Sequence, residues 1–211
     1  MEQDILFVST GNLLNDAKTI IDRARAKAYA TVNVALVERN WLLGKRIAEE
    51  ELQGEYRAAY GANVIIRLSK DLTDEYGKGF NKSNLYQFCE FYKSFPEIFH
   101  TACGKSAILL SWSHYRTLLQ VYDKKARDWY MQEAISQTWS VRTLQRNISS
   151  QYYYRLLQSQ HKDLVEKEML EITAPLQDTD KFEFVKNPVV AEFLGLAPNT
   201  DFTESSLEEA I

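Results

Sequence analysis

Few residues in this chain have the types and spacing that catalysis requires. His100, His114 and His161 are far apart in sequence, and neither a GxSxG nor an HExxH motif surrounds them. Cys89 and Cys103 lack CxxC spacing and no histidine set accompanies them, so we expect both thiols to be reduced and partly buried. Nucleophilic catalysis is therefore not expected.

Phosphate-loop and metal-ion chemistry have no better support. The Gly-Lys-Gly run at residues 77–79 joins two predicted helices and does not follow a strand, which argues against a nucleotide-binding loop. A metal-dependent nuclease needs clustered carboxylates, usually with a lysine, and the chain has no Glu-x-Lys tripeptide. Asp71, Asp74 and Glu75 share one helical face, where a solvated acidic patch is the favoured interpretation. We expect no catalytic residue, no metal site and no cofactor in this chain.

A repeated local pattern favours nucleic-acid recognition instead. Asn81 is placed to cap a helix, and Phe80 before it can pack on Leu85 four residues after it as a hydrophobic staple. An aromatic residue, a capping serine and a leucine repeat this spacing within 139–144. The pattern predicts two helix-turn-helix-like units, whose second helices could place polar side chains in a DNA major groove. The alternative is that both corners only pack.

The predicted nucleic-acid-binding residues lie mainly on these second helices. Their lysines could reach phosphates, and the amides of Asn84 and Gln87 carry the donor and acceptor that adenine recognition uses. Between the units, a capped and aromatic-packed corner is the favoured interpretation of residues 111–115, with a functional contact by His114 or Arg116 as the alternative. The complete predicted set is Lys78, Asn81, Lys82, Asn84, Gln87, Lys93, His114, Arg116, Arg142 and Arg146. Tyrosines 152–154 could stack on bases, although at helical spacing some must face the core.

The elements that position these residues are predicted to be helices. Apolar residues recur at helical spacing from 13 to 52, which indicates one long helix or two, covered on several sides at its centre. Further helices are predicted up to Tyr76, from the Asn81 cap to before Pro96, from about 113 to 122, at 124–136 and from 141 to about 157. From 159 onward periodicity fades, and prolines, including Pro175, interrupt the candidate helices.

Composition is that of an ordinary globular protein with an acidic C-terminal part. Of 211 residues, 45% are hydrophobic and 12% aromatic, enough for a core without disulfide or metal. The net charge of −4 divides into +4 for residues 1–155 and −8 for residues 156–211. The larger part can therefore carry a basic face. With neither a leader peptide nor a long apolar run, we expect a cytoplasmic protein without membrane contact.

Several ordered blocks resemble one family. These are VNVALVERNWLLGKRI, GANVIIRLSKDLTDEYGKGFNKSNLYQFCEFYKSFP, LSWSHYRTLL, ARDWYMQEAISQTWSVRTLQRNISSQYYYR and NPVVAEFLGL, which are similar to the N-terminal region of YhcG-type proteins. The resemblance implies a helical domain suspected to bind DNA, followed by a PD-(D/E)XK nuclease domain whose metal-binding carboxylates would lie further on. Ser111 is a departure, because the family tends to have proline there.

The predicted organisation follows from both lines of reasoning. We expect a mainly α fold, with a helical recognition domain at 1–158 and an acidic, partly irregular connector at 159–211. Residues 203–211, TESSLEEAI, have a capping-box pattern and resemble the entry helix of the nuclease domain, so we expect that helix to be cut short here. The predicted function is non-catalytic recognition of nucleic acid, with DNA favoured over RNA. A protein-interaction or homodimerisation module is the alternative.

Overall fold

The computed structural model describes residues 9–53, 58–99 and 110–177, and every regular element within these ranges is helical. The prediction of a mainly α fold is confirmed. A 3₁₀ turn at Lys78–Phe80 separates the second and third helices. The α-helices are α1 (Leu13–Gln53), α2 (Ala58–Tyr76), α3 (Lys82–Ser94), α4 (Trp112–Leu118), α5 (Lys124–Ser136), α6 (Val141–Ser149), α7 (Tyr152–Gln158) and α8 (Lys162–Gln177).

Helix α1 is one continuous helix of 41 residues. At its start, Asn12 accepts from the backbone N–H of Asn15, and the chain before it is tied down by Asp16, which accepts from Ser9 and Thr10. Its N-terminal half is largely exposed, whereas its C-terminal half packs on α3. A Cβ at Gly44 would overlap the backbone carbonyl of Phe88, so glycine allows α1 and α3 to approach backbone to backbone.

The first helix pair, α2–α3, turns as predicted. Gly77 adopts φ 95°, a conformation that L side chains rarely reach. Asn81 then caps α3 by accepting from the N–H of Asn84 at 3.1 Å. Phe80 and Leu85 are both buried in the core cluster, as the predicted staple requires.

Helix α4 connects this pair to the rest of the molecule. Its Trp112 contacts Phe88 and Phe91, with ring centroids 5.4 and 5.2 Å apart, and its Tyr115 contacts Phe91 at 5.0 Å. On another side, His114 reaches the turn that precedes α6. One hydrophobic cluster consequently runs from α1 through α4 to α8.

The second helix pair, α5–α6, uses a different turn with the same cap and staple. The N–H of Trp139 donates to the Ala134 carbonyl at 3.0 Å, which closes a Schellman-type helix end with Thr138 at φ 49°. Ser140 caps α6 by accepting from the N–H of Thr143 at 3.0 Å. Trp139 and Leu144 are buried.

The prediction of one helix from 141 to about 157 was wrong. The chain breaks between α6 and α7 at Gln151, which has φ 54°. Ser149 and Ser150 hydroxyls donate back to the carbonyls of Arg146 and Asn147, a side-chain interaction that competes with helix continuation. The Tyr130 hydroxyl accepts from the N–H of Tyr153 and so satisfies the start of α7.

Helix α8 lies within the predicted connector and packs on α6 and α7. Met169 and Thr173 are buried, and Ser140 donates to the carbonyl of Leu176 at 3.1 Å. The expectation that Pro175 interrupts a helix was wrong, because the helix continues to Gln177. The packed part of the chain therefore extends beyond residue 158. The predicted helix at 203–211 lies outside the described residues.

Candidate nucleic-acid interface

The exposed face of α6 carries Arg142, Gln145, Arg146 and Ser149. These positions are three or four residues apart, so their side chains share one side of the helix. The opposite side is buried through Thr143, Leu144 and Asn147. No acidic residue occurs in α6. The result is a compact basic and amide face of four residues, which we call the α6 face.

The exposed side of α3 is less uniform. Lys82 and Lys93 are exposed on it together with Tyr86, and the Lys82 ammonium lies 5.8 Å from the Tyr86 ring centroid. Glu90 shares this side, with its carboxylate 3.8 Å from the Lys93 ammonium. The basic charge of α3 is thus partly neutralised at its C-terminal end, and a tyrosine separates its lysines.

Amides predicted to read bases on α3 are already engaged or covered. Asn81 accepts from Asn84 N–H and donates to the Lys78 carbonyl, while the Asn84 side chain donates to the Gly79 carbonyl at 2.9 Å. Gln87 is half-buried, and its Oε1 atom is buried without a hydrogen-bond partner. The side chains of Asn81 and Asn84 therefore already form hydrogen bonds within the corner. Lys78 remains exposed beside them.

His114 connects the start of α4 with the turn before α6, in a defined tautomer. The Ser111 N–H donates to its Nδ1 at 3.2 Å, and its Nε2 lies 2.9 Å from the Trp139 carbonyl. Because an N–H only donates and a carbonyl only accepts, the proton sits on Nε2. The Ser111 hydroxyl is also 2.7 Å from Nδ1. His114 therefore serves the capped corner, whereas Arg116 is exposed on the same helix.

The three consecutive tyrosines have separate environments. Tyr152 is buried, Tyr153 is half-buried, and Tyr154 is exposed and donates to Asp123 at 3.1 Å. Burial, followed by the charges of Glu166 and Glu133, raises the pKa of Tyr152 to about 12. Tyr152 and Tyr153 line an open cleft beside Trp129. Sequence reasoning identified the tyrosines but missed the cleft, because its walls come from three helices.

The remaining chemically interesting side chains are placed as solvated or buried groups. Asp71, Asp74 and Glu75 are exposed, as expected of a solvated acidic patch. Cys89 is a free, buried thiol, and Cys103 and His100 lie outside the described residues. Across the described ranges, no three His, Cys, Asp or Glu side chains converge as metal ligands, and no helix is long and apolar enough to cross a bilayer.

Fold and surface together define an all-helical module with two capped helix pairs and a basic face on one of them. The chain belongs to the family described as the DUF1016 N-terminal domain, which matches residues 16–155. It is 35% identical over 220 residues to the Escherichia coli (strain K12) protein named "Putative nuclease YhcG", across 91% of this chain and 57% of that protein. The resemblance to YhcG-type proteins is confirmed.

The chain spans little more than half the length of that curated relative. No solved structure matches it. Membership of the DUF1016 N-terminal domain family is established for this domain, and the activity of a whole protein is a separate question. Gln145 was absent from the predicted contacts, although its place between Arg142 and Arg146 could have identified it.

Proposed function

We propose that this chain is a non-catalytic DNA-recognition module that positions a nuclease domain. The observation that carries the proposal is the α6 face, where two exposed arginines flank an exposed glutamine on a helix without acidic residues. Arginine binds phosphate or guanine edges with two donors at once, and glutamine can pair with adenine. The relative's name supports the nuclease context.

The lysines of α3 and of the 3₁₀ turn before it have an accessory role in this proposal. Lys78, Lys82 and Lys93 are exposed and can contribute phosphate contacts, which position a protein on DNA without reading its sequence. Because the Asn81, Asn84 and His114 side chains are held by internal hydrogen bonds, base reading is assigned to α6. Arg116 on α4, which packs against α6, extends the proposed surface.

The test compares three variants with the same change in charge. Duplex DNA binding is measured by fluorescence anisotropy at about 50 and 200 mM salt for the parent, Arg142→Glu/Arg146→Glu, Lys82→Glu/Lys93→Glu and Lys124→Glu/Lys167→Glu. Binding should weaken steeply with salt in the parent because phosphate contacts release counterions. The α6 variant should lose most of the affinity and lower the slope of log affinity against log salt by about two.

The Lys124 and Lys167 variant is the control for net charge. Both residues are exposed, on α5 and α8, outside the proposed surface. Equal losses of DNA affinity in all three variants would show that overall charge causes the effect, and would reject the α6 face as the binding surface. A parent chain that binds neither double-stranded nor single-stranded DNA would reject the recognition proposal itself.

A second candidate function, homodimerisation, has one specific observation in its favour. The N-terminal half of α1 exposes Leu13, Leu14, Ile20 and Ile21 to 86, 64, 51 and 46%. Large apolar side chains at this spacing form a stripe along a helix, as in helix-helix interfaces. Light scattering should then give a dimer mass that Leu14→Lys/Ile21→Lys reduces to a monomer. A monomeric parent would exclude this function.

A further inference from the structure

The open cleft formed by α5, α7 and α8 has a volume of about 400 Å³, within the size range of small-ligand sites. Trp129 lines the cleft, and its ring centroid lies 5.5 Å from those of Tyr152 and Tyr153. The cleft is thus lined by three packed aromatic rings, one on α5 and two on α7.

Two carboxylates line the cleft together with these rings. Glu133 on α5 and Glu166 on α8 both line the cleft, together with Lys162. Burial, and then the charges of both carboxylates, raise the pKa of Tyr152. With two carboxylates and one ammonium, the lining repels phosphate and attracts a cation.

At its rim the cleft continues into apolar surface. Leu157 and Leu170 line it and are 63% and 56% exposed. Exposed apolar side chains beside an aromatic cleft are typical of a site that binds a protein segment, with one anchoring side chain inserted into the cleft.

We propose that this cleft binds an arginine side chain presented by an apolar segment of a partner protein. The guanidinium is planar, stacks on aromatic rings and pairs with carboxylates through several donors, and its three-carbon stem matches the apolar walls. Lysine meets the charge requirement without the stacking, and a nucleic-acid phosphate meets neither. This surface is independent of the α6 face, so either can be correct without the other.

The experiment uses two capped five-residue peptides that differ in one atom group. One has an arginine between two leucines, and the other has citrulline, which keeps the shape without the charge. Binding is measured by calorimetry and by tryptophan fluorescence. The tryptophan that lines the cleft is Trp129. The arginine peptide should bind about tenfold more tightly than the citrulline peptide.

Two variants should change the affinity for the arginine peptide in opposite directions, and a third is a control. Glu133→Gln/Glu166→Gln should bring the affinity for arginine down to the citrulline level, while Lys162→Gln, which removes the competing ammonium, should raise it about threefold. Glu171→Gln, an exposed residue of α8 outside the lining, should change nothing. Thermal unfolding of each variant verifies folding.

Equal binding of both peptides would overturn the proposal, as would no binding of the arginine peptide at about 1 mM. If Glu133→Gln/Glu166→Gln does not fold, the test rests on Lys162→Gln alone. Unchanged or weaker binding of the arginine peptide by Lys162→Gln would then reject the site.

Discussion

In both helix pairs the second helix begins with an aromatic residue, a capping residue and a leucine four positions after the cap, and in both the aromatic residue and the leucine are buried. Their outer surfaces nevertheless differ. In the first pair, the Asn81 and Asn84 side chains donate hydrogen bonds to carbonyls of the turn, and Glu90 lies beside Lys93. The second pair leaves the whole outer side of α6 basic or neutral.

The difference shows that the residues that form a helical corner and the residues that form a binding surface compete for the same positions. In α3, polar residues near the N-terminus satisfy carbonyls at 78 and 79. At α6, Ser140 and Thr143 are buried and hydrogen-bonded to each other, and Ser140 donates to the Leu176 carbonyl of α8. Arg142 and Arg146 are then left on the outside. The second pair is consequently the better candidate for recognition, and the first is the better structural support.

The largest expected effect comes from the contact that fixes the first pair on α1. Gly44→Ala should destabilise the protein by about 3 kcal/mol, because the added Cβ meets the backbone of Phe88 and cannot be relieved by a side-chain rotation. Urea unfolding should give a lower midpoint with an unchanged slope. In an open helix the same substitution stabilises by about 1 kcal/mol, so a raised midpoint would refute the close approach.

The second pair has a polar anchor in place of a glycine contact. The buried Tyr130 hydroxyl donates to the Asn147 carbonyl at 3.2 Å and accepts from Tyr153 N–H at 3.1 Å. Tyr130→Phe should cost about 1–3 kcal/mol because it leaves that N–H without its partner. Tyr122→Phe, at a ring that is 95% exposed, is the matched control and should be neutral. Equal unfolding midpoints for the two variants would show that the hydroxyl does not hold α7.

Substituting the positive-φ turn residue should change the free energy of unfolding in opposite directions in the two pairs. Gly77 has φ 95° and ψ −175°, a region open almost only to glycine, so Gly77→Ala should destabilise by about 1–3 kcal/mol. Thr138 is β-branched and has φ 49°, so Thr138→Gly should stabilise by about 1 kcal/mol. Thermal unfolding measures both. Destabilisation by Thr138→Gly would mean that the hydroxyl or methyl group contributes more than the backbone strain costs.

Local sequence predicted the elements well and the surfaces less well. The bounds of α5, the Asn81 and Ser140 caps and the turn at Gly77 follow from residue chemistry over a few positions, and the structure has them as predicted. The break at Gln151 follows only in part, because besides the local Ser149 and Ser150 hydroxyls it involves the Tyr130 hydroxyl of another helix.

Contacts between distant segments explain the other differences. The bond from His114 to the Trp139 carbonyl spans 25 residues, and the half-buried position of Gln87 depends on packing against other helices. The aromatic cleft likewise needs α5, α7 and α8 together. Helical periodicity identified Arg142 and Arg146 as polar positions, since α6 is short and strongly two-sided.

The smallest expected effect is a pH dependence of stability that the cap of α5 has and the cap of α3 lacks. Helix α3 is capped by the neutral Asn81, whereas α5 is capped by Asp123, whose pKa is lowered by the Lys125 N–H and then by the Tyr154 hydroxyl. A lowered folded pKa means that this stabilisation is present above the unfolded pKa of about 3.9 and is lost as pH falls through the folded value.

Asp123→Asn keeps an oxygen acceptor for the cap and removes the titration. The melting temperature of the parent should therefore exceed that of the variant near neutral pH, and the difference should shrink as pH falls through the lowered folded pKa of Asp123. Asn81→Asp should introduce the same pH dependence into the first pair, and a difference for Asp123→Asn that stays constant with pH would show that its charge does not stabilise the second pair.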